Sequence, residues 1–155
     1  MGIEIERKFL VQSEAWRAAT TSRQRLTQGY LCREPSRVVR VRVAGEQGFL
    51  TIKGAPQGLA RLEFEYPIPV AEAHQLLQLA DGPVIDKWRH LCPAGGGLVW
   101  EIDEFLGDNA GLIVAEIELQ DEAQAFDRPE WLGAEVTEDK RYLNANLAVQ
   151  PFKTW

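Results

Sequence analysis

Charged and apolar side chains alternate along most of this chain with a period of two, and within each segment the charges are mostly of one sign. Period two is the signature of a strand, because successive side chains leave a pleated backbone on opposite faces. In Ile3–Val11 (IEIERKFLV), Ile3, Ile5 and Arg7 share one face and Glu4, Glu6 and Lys8 the other. In Arg37–Ala44 (RVVRVRVA), Val39, Val41 and Val43 oppose Arg40 and Arg42. Residues 24–34 (QRLTQGYLCRE) form a further candidate, and a hairpin turn at Gly45-Glu46-Gln47-Gly48 leads into FLTIKG, which carries Lys53. The pattern recurs over residues 60–69, 84–92, 98–106 and 112–120, with a glycine-rich turn at 93–97. Eight strands are expected.

Helical periodicity is confined to residues 14–20, residues 70–80 behind Pro69, and residues 138–149, where Thr137 is the expected N-cap and acids fill the first turn. No solenoid repeat, low-complexity stretch or linker divides the 155 residues, so one domain over 1–155 is expected. Folding at this size buries enough surface to form a core without metal or disulfide staples. The expected fold class is mainly β (α+β), with mainly antiparallel strands closed into a barrel or stacked as a sandwich, since closure removes exposed edges.

The charged faces favour the barrel. Seven of the eight strands carry Glu4/Glu6 with Lys8, Arg40/Arg42, Lys53, Glu63/Glu65, Lys87/Arg89, Glu101/Asp103 and Glu116/Glu118. Each pair is two residues apart and so lies on one side of its strand. The wet face of a sandwich usually mixes in Thr, Ser and Gln. Here the opposite faces are rich in Val, Ile, Leu, Phe and Trp, which helices could cover from outside. A dry interior lined in this way would fail, because each unpaired buried ion costs several kcal/mol. The interior is therefore expected to be wet and to hold ions and a charged ligand. Arginines and lysines suit phosphate oxygens, and clustered carboxylates suit a hard cation, Mg2+ or Mn2+.

Composition narrows the alternatives. The net charge is −6 and the pI about 5.0, which disfavours a nucleic-acid coat. His74 and His90 are the only histidines, and Cys32 and Cys92 stand 60 apart, so neither zinc chemistry nor a Ser-His-Asp triad finds its residues. Neither a P-loop nor a dinucleotide-binding glycine motif occurs. The chain lacks an apolar run of membrane-spanning length and does not open on a signal-peptide pattern. A cytoplasmic protein with no nucleic-acid or membrane partner is expected, with homodimerisation left open.

At Glu4-Ile5-Glu6-Arg7-Lys8 the chain resembles the CYTH superfamily, the triphosphate tunnel metalloenzymes, whose signature is ExExK near the N-terminus. The resemblance runs on through Gln28-Gly29-Tyr30-Leu31, Arg40-x-Arg42, Thr51-Ile52-Lys53, Glu63-x-Glu65, Lys87-x-Arg89, Glu101-x-Asp103, Glu116-x-Glu118 and Glu138-Asp139-Lys140-Arg141-Tyr142. It implies an eight-stranded antiparallel β tunnel that binds a triphosphate with divalent cations. Most similar are the short bacterial inorganic triphosphatases, which implies hydrolysis of tripolyphosphate to pyrophosphate and phosphate with Mg2+ or Mn2+. By the same resemblance Lys8, Arg40, Arg42, Lys53, Lys87, Arg89 and Lys140 would grip a small anionic triphosphate. Glu4, Glu6, Glu63, Glu65, Asp103, Glu116 and Glu118 would carry the metals. Tyr30, if it points inward near Lys87, is a candidate proton acceptor. A class IV-type adenylate cyclase, a thiamine or nucleoside triphosphatase and a non-catalytic polyphosphate or nucleotide binder are the competing readings.

Overall fold

A computed structural model describes residues 2–155. Nine strands form: β1 (Ile3–Val11), β2 (Ser22–Cys32), β3 (Arg37–Ala44), β4 (Gln47–Gly54), β5 (Ala60–Ile68), β6 (Ile85–Gly95), β7 (Leu98–Phe105), β8 (Ile113–Glu118) and β9 (Leu132–Glu135). The sheet order is β5-β4-β3-β2-β6-β7-β8-β1-β9, and a further pairing of β5 with β1 closes the first eight strands into an antiparallel barrel. The expected barrel is present, with one strand more than expected. That strand, β9, pairs with the last part of β1 at Phe9↔Glu135 and Val11↔Leu132. β5 takes only the first part of the same edge, at Ile3↔Leu62, Glu4↔Arg61 and Ile5↔Ala60.

The apolar core lies largely outside the barrel wall, as the alternation requires. Phe9, Trp100, Ile102, Ala115 and Ile117 leave the outer faces of β1, β7 and β8. Trp16, from the short helix α1 (Trp16–Ala19), and Trp131 with Leu132 cover them. A second outer cluster forms where Val41 and Val43 meet Ala73 of α2 (Val70–Leu77). Gly48 permits that approach, because a Cβ there would lie 2.7 Å from the Ala73 Cβ. Trp88 also points outward, and its ring is stacked by Arg23 and Arg25.

One end of the barrel is filled differently. Tyr30, Val38, Ile85, Phe105 and Val114 are apolar positions that pack against Tyr142, Leu147 and Ala148 of the C-terminal segment. That segment therefore caps one end of the tunnel. The single helix expected over 138–149 is instead a 3-10 turn at Lys140–Tyr142 followed by the short helix α3 (Asn144–Leu147). Two local causes divide it. Asp139 caps the backbone N–H of Arg141, and Leu143 is extended (φ −68°, ψ 131°). Thr137 does not cap a helix, since its hydroxyl oxygen accepts from Lys8 N and its O–H donates to Glu135. Both cysteines are free thiols, and none of the helices of residues 2–155 is long and apolar enough to cross a membrane.

Candidate functional site

The tunnel contains a cavity of about 520 Å³. Every site residue expected from sequence lines it except Asp103: Glu4, Glu6, Lys8, Tyr30, Arg40, Arg42, Lys53, Glu63, Glu65, Lys87, Arg89, Glu116, Glu118 and Lys140. Strand geometry explains the convergence, because the inner faces of seven strands point at one axis. Gln28, Arg33, Arg61, Glu101 and Asn144 also line the cavity. Glu101 and Gln28 stood in the sequence motifs without an assigned role. Arg61 shares the face of Glu63 and Glu65 by period two but was given no role, whereas Arg33 lies beyond the end of β2 and Asn144 follows a break in helical pattern, so period-two reading had no means of placing those two.

The opposite end is not sealed. A second cavity of about 420 Å³, reaching Ser22, Gln24, Ala44, Phe49 and Leu91, shares Arg42, Glu65, Arg89 and Glu101 with the first.

Charge inside the tunnel is separated into two poles. On the cationic side Arg40, Arg42, Lys87 and Arg89 crowd together. Burial pulls the Lys87 ammonium down to about 7, with Arg89 and Arg42 adding to the shift and Asp103 opposing it. Burial, then Arg40 and Arg89, likewise weaken the charge on Arg42. On the acidic side Glu4, Glu6 and Glu118 are all raised above the ordinary carboxylate value, first by burial. Neighbouring acids add to it: Glu63 acts on Glu4, Glu116 on Glu6, and Glu4 on Glu118. One side of the tunnel is richer in cations and the other in acids.

Ion pairs between the poles relieve only part of this. The Lys53 ammonium donates to both Glu4 oxygens at 3.1 Å and lies 3.4 Å from Glu63. Lys8 Nζ lies 3.5 Å from Glu116 and 3.8 Å from Glu6. Burial opposes the Glu116 charge, yet Lys8 and Arg89 outweigh it and hold that carboxyl well below the usual range. Arg40 donates to Thr51 Oγ1 and to Glu65, at 3.1 and 3.4 Å. Its buried Nε meets no partner among the described residues.

Asp103 is placed differently from the other acids. It is wholly buried, and both its oxygens are taken: Lys87 Nζ at 2.7 Å and Arg89 Nη2 at 2.9 Å meet Oδ2, and Arg89 Nε meets Oδ1 at 2.8 Å. It does not reach the cavity. Asp103, expected among the metal-carrying acids, is thus held by two cations behind the residues that line the cavity.

Tyr30 points inward as expected, but among the described residues it makes no direct hydrogen bond to Lys87. Its Oη accepts from Gln28 Nε2 at 3.1 Å, and Lys87 Nζ donates to Asn144 Oδ1 at 2.9 Å. Gln28 Nε2 lies 3.3 Å from that same Asn144 oxygen.

The remaining carboxylates fit a hard divalent cation by the chemistry of their donors. Glu4, Glu6, Glu63, Glu116 and Glu118 are oxygen ligands, they crowd one another, and Glu4, Glu6 and Glu118 are left with excess negative charge. Among the described residues no three of them converge on a single point at ligand distance.

Comparison with known proteins agrees with the fold. The profile of the CYTH domain matches residues 2–149. An inorganic triphosphatase from Acetivibrio thermocellus is 47% identical over 100% of this chain and 99% of its own. One from Nitrosomonas europaea is 38% identical over 94% and 97%. A crystal structure described as an inorganic triphosphatase superimposes with a TM-score of 0.63 at 38% identity, covering 94% of this chain and 93% of that one. A putative adenylyl cyclase from Hippeastrum, 14% identical over 78% and 80% of the two chains, shares the fold with a TM-score of 0.59.

Proposed function

The chain belongs to the CYTH domain family, and on that footing we propose that it hydrolyses inorganic tripolyphosphate to pyrophosphate and orthophosphate with Mg2+ or Mn2+. The observation that carries this reading is one tunnel cavity lined by a cation-rich side, with Arg40, Arg42, Lys87 and Arg89, and an acid-rich side, with Glu4, Glu6 and Glu118. A triphosphate satisfies the first and a divalent cation bound to it satisfies the second. A plain anion binder needs only the first. The two bacterial relatives, both named inorganic triphosphatases and matched over nearly their whole length, support the choice of substrate.

The residues divide by geometry. Arg40, Arg42 and Arg89 offer planar guanidinium forks to phosphate oxygens, and Lys8, Lys53 and Lys87 offer point charges. Lys140, carried on the C-terminal segment at the cavity edge, neutralises the exposed end of the chain of phosphates. Asp103 keeps Lys87 and Arg89 aligned from behind and is a positioning residue. Glu4, Glu6, Glu63, Glu116 and Glu118 would hold the metal, with Glu65 tied to Arg40 and Thr51 beside them. When bound, a divalent ion supplies Lewis-acid neutralisation of phosphate oxygens. The cations hold a terminal P–O–P bond in place while water adds to phosphorus and the pyrophosphate oxygen leaves.

The test is phosphate release from tripolyphosphate, ATP and thiamine triphosphate side by side, with Mg2+, with Mn2+ and with EDTA. Metal-dependent turnover with a large preference for tripolyphosphate supports the reading. Equal or better turnover of either organic triphosphate, or none of the three, overturns it.

A further inference from the structure

Two amides in the tunnel wall have their orientation dictated by neighbours that can only donate. Arg42 Nε donates to Gln28 Oε1 at 2.8 Å. A guanidinium has no acceptor, so the oxygen of the Gln28 amide must face it and the Nε2 group must face away. That Nε2 group reaches the Tyr30 hydroxyl at 3.1 Å and Asn144 Oδ1 at 3.3 Å. Asn144 is constrained from a second side, because the Lys87 ammonium, also a pure donor, lies 2.9 Å from the same oxygen. Gln28 is fully buried and Tyr30 nearly so, which leaves the pattern little freedom to rearrange.

The consequence falls on the two groups at the free ends of this network. The Tyr30 oxygen already accepts from Gln28, and among the described residues its own O–H finds no protein acceptor. Asn144 spends its oxygen on Lys87 and Gln28, and its Nδ2 group likewise finds none. Both residues line the cavity.

We propose that Gln28 and Asn144 set the direction of hydrogen bonding at the tunnel wall, so that the Tyr30 O–H and the Asn144 N–H both donate to phosphate oxygens of the bound substrate. Gln28 is then a positioning residue that acts through Tyr30, and Asn144 is a direct ligand of the phosphate chain. Tyr30 serves as a hydrogen-bond donor, in place of the proton-accepting role expected from sequence. With Gln28 donating to the Tyr30 oxygen, the phenolic O–H is the group left without a partner among the described residues. Only the identity of the anion rests on the triphosphatase reading.

The experiment uses the full chain and two readouts: kcat/KM for tripolyphosphate with Mg2+, and the Kd for tripolyphosphate by titration calorimetry in EDTA, where no metal-dependent turnover occurs. Tyr30→Phe removes one donor to a charged acceptor and is expected to weaken both values by about ten- to a hundredfold. Gln28→Glu keeps the acceptor for Arg42 but presents a second acceptor to Tyr30, which then turns its O–H away from the cavity. In that background Tyr30→Phe is expected to cost less than about threefold further, the non-additivity of residues that act as one unit. Asn144→Asp keeps the acceptor for Lys87 and is expected to weaken tripolyphosphate by at least about tenfold, whereas Asn144→Gln retains a donor and recovers part of the loss.

If Tyr30→Phe costs the same in both backgrounds, or Asn144→Asp matches wild type, the proposal is overturned. Thermal unfolding midpoints identify a variant that fails to fold. If Gln28→Glu does, the Asn144 pair decides the question. Wild type that binds tripolyphosphate without turnover overturns the hydrolytic reading alone, and the calorimetric arm then decides the hydrogen-bond direction. Wild type that neither binds nor hydrolyses it overturns both.

Discussion

Lys87 and Asp103 meet diagonally across the β6–β7 ladder, where Asp103 is opposite Arg89, with ammonium and carboxylate 2.7 Å apart, the first side chain 1% exposed and the second not at all. The pair is a support for the site. Its carboxylate also receives two hydrogen bonds from Arg89, so one acid fixes two of the cations that face the substrate. Replacing Asp103 by Asn leaves Lys87 buried without an ion-pair partner, while Arg89 keeps Glu101 at 3.2 Å. Loss of one partner of such a pair costs about 3–5 kcal/mol. Urea denaturation of Asp103→Asn should show a loss of that size, together with a fall in kcat/KM. An unchanged unfolding midpoint would mean that the pair is not a support.

Glu6 predicts the opposite sign for stability. Burial and the neighbouring Glu116 and Glu4 raise its carboxyl, so its charge is held in the fold at a cost. Glu6→Gln should raise the thermal midpoint of the metal-free protein by roughly 2–4 °C, the equivalent of about 1 kcal/mol at this chain length. The same change should weaken divalent-cation activation by at least about tenfold. Calorimetric scans beside Mg2+ titrations of activity check both halves, and a lowered midpoint contradicts the first.

On the outer surface, Arg7 grips Glu135 with two hydrogen bonds of 2.8 and 2.6 Å, joining β1 to β9. The hydrogen bond from Arg7 holds the Glu135 carboxyl below its ordinary value, with burial opposing. A carboxyl lowered by folding contributes stability that is fully present above its unfolded pKa, near 4.3. That contribution is lost as pH falls through the lower folded value. Because the pair is partly exposed, the contribution is about 0.5–1 kcal/mol. Glu135→Gln should therefore cost about that much at pH 7 and progressively less as pH falls below about 4.3, and denaturation across that range reads the difference.

The C-terminal cap is held by aromatic contacts. The Trp155 ring lies 5.1 Å from Tyr142 and 5.2 Å from Phe152, edge to face. Each such pair adds about 0.5–1.5 kcal/mol. Trp155→Ala should lower stability by about 1–3 kcal/mol and raise KM for tripolyphosphate severalfold, because Tyr142 adjoins the residues that present Lys140 and Asn144 to the cavity. If KM holds while stability falls, the cap is structural alone.

The strands were legible because alternation is redundant: a charge every second residue in Arg40/Arg42 or Glu116/Glu118 states both the strand and the face that lines the tunnel. The starts of β1 and β3 match the expectation to the residue. β9 was not legible, since four residues that include Gly133 hold too few alternations to register, and its pairing with β1 lies 120 residues away in sequence. The C-terminal segment has helical spacing, and what breaks it is local capping by Asp139 and an extended Leu143. For the same reason Asn144 carried no sequence signal: its role comes from where the break places it. Asp103 shows the limit of reading charge by spacing. It alternates with Glu101 as a lining residue would, but Lys87 and Arg89 have drawn it into the wall.

The edge of β1 that β5 and β9 share has a consequence for how this protein comes into being. Besides β5, β1 pairs with β8 at Glu6↔Glu118 and with β9 at Phe9↔Glu135, partners more than a hundred residues further along the chain. Contacts this distant in sequence slow folding, because the loop must be ordered before they form. During synthesis the β2–β5 meander can zip up as neighbouring hairpins, but the ring cannot close until more than a hundred residues have followed β1. Glu4 and Glu6, two of the acids that line the tunnel, ride on that first strand. No closed tunnel therefore exists until β8 has been made, and the protein becomes competent in one late step.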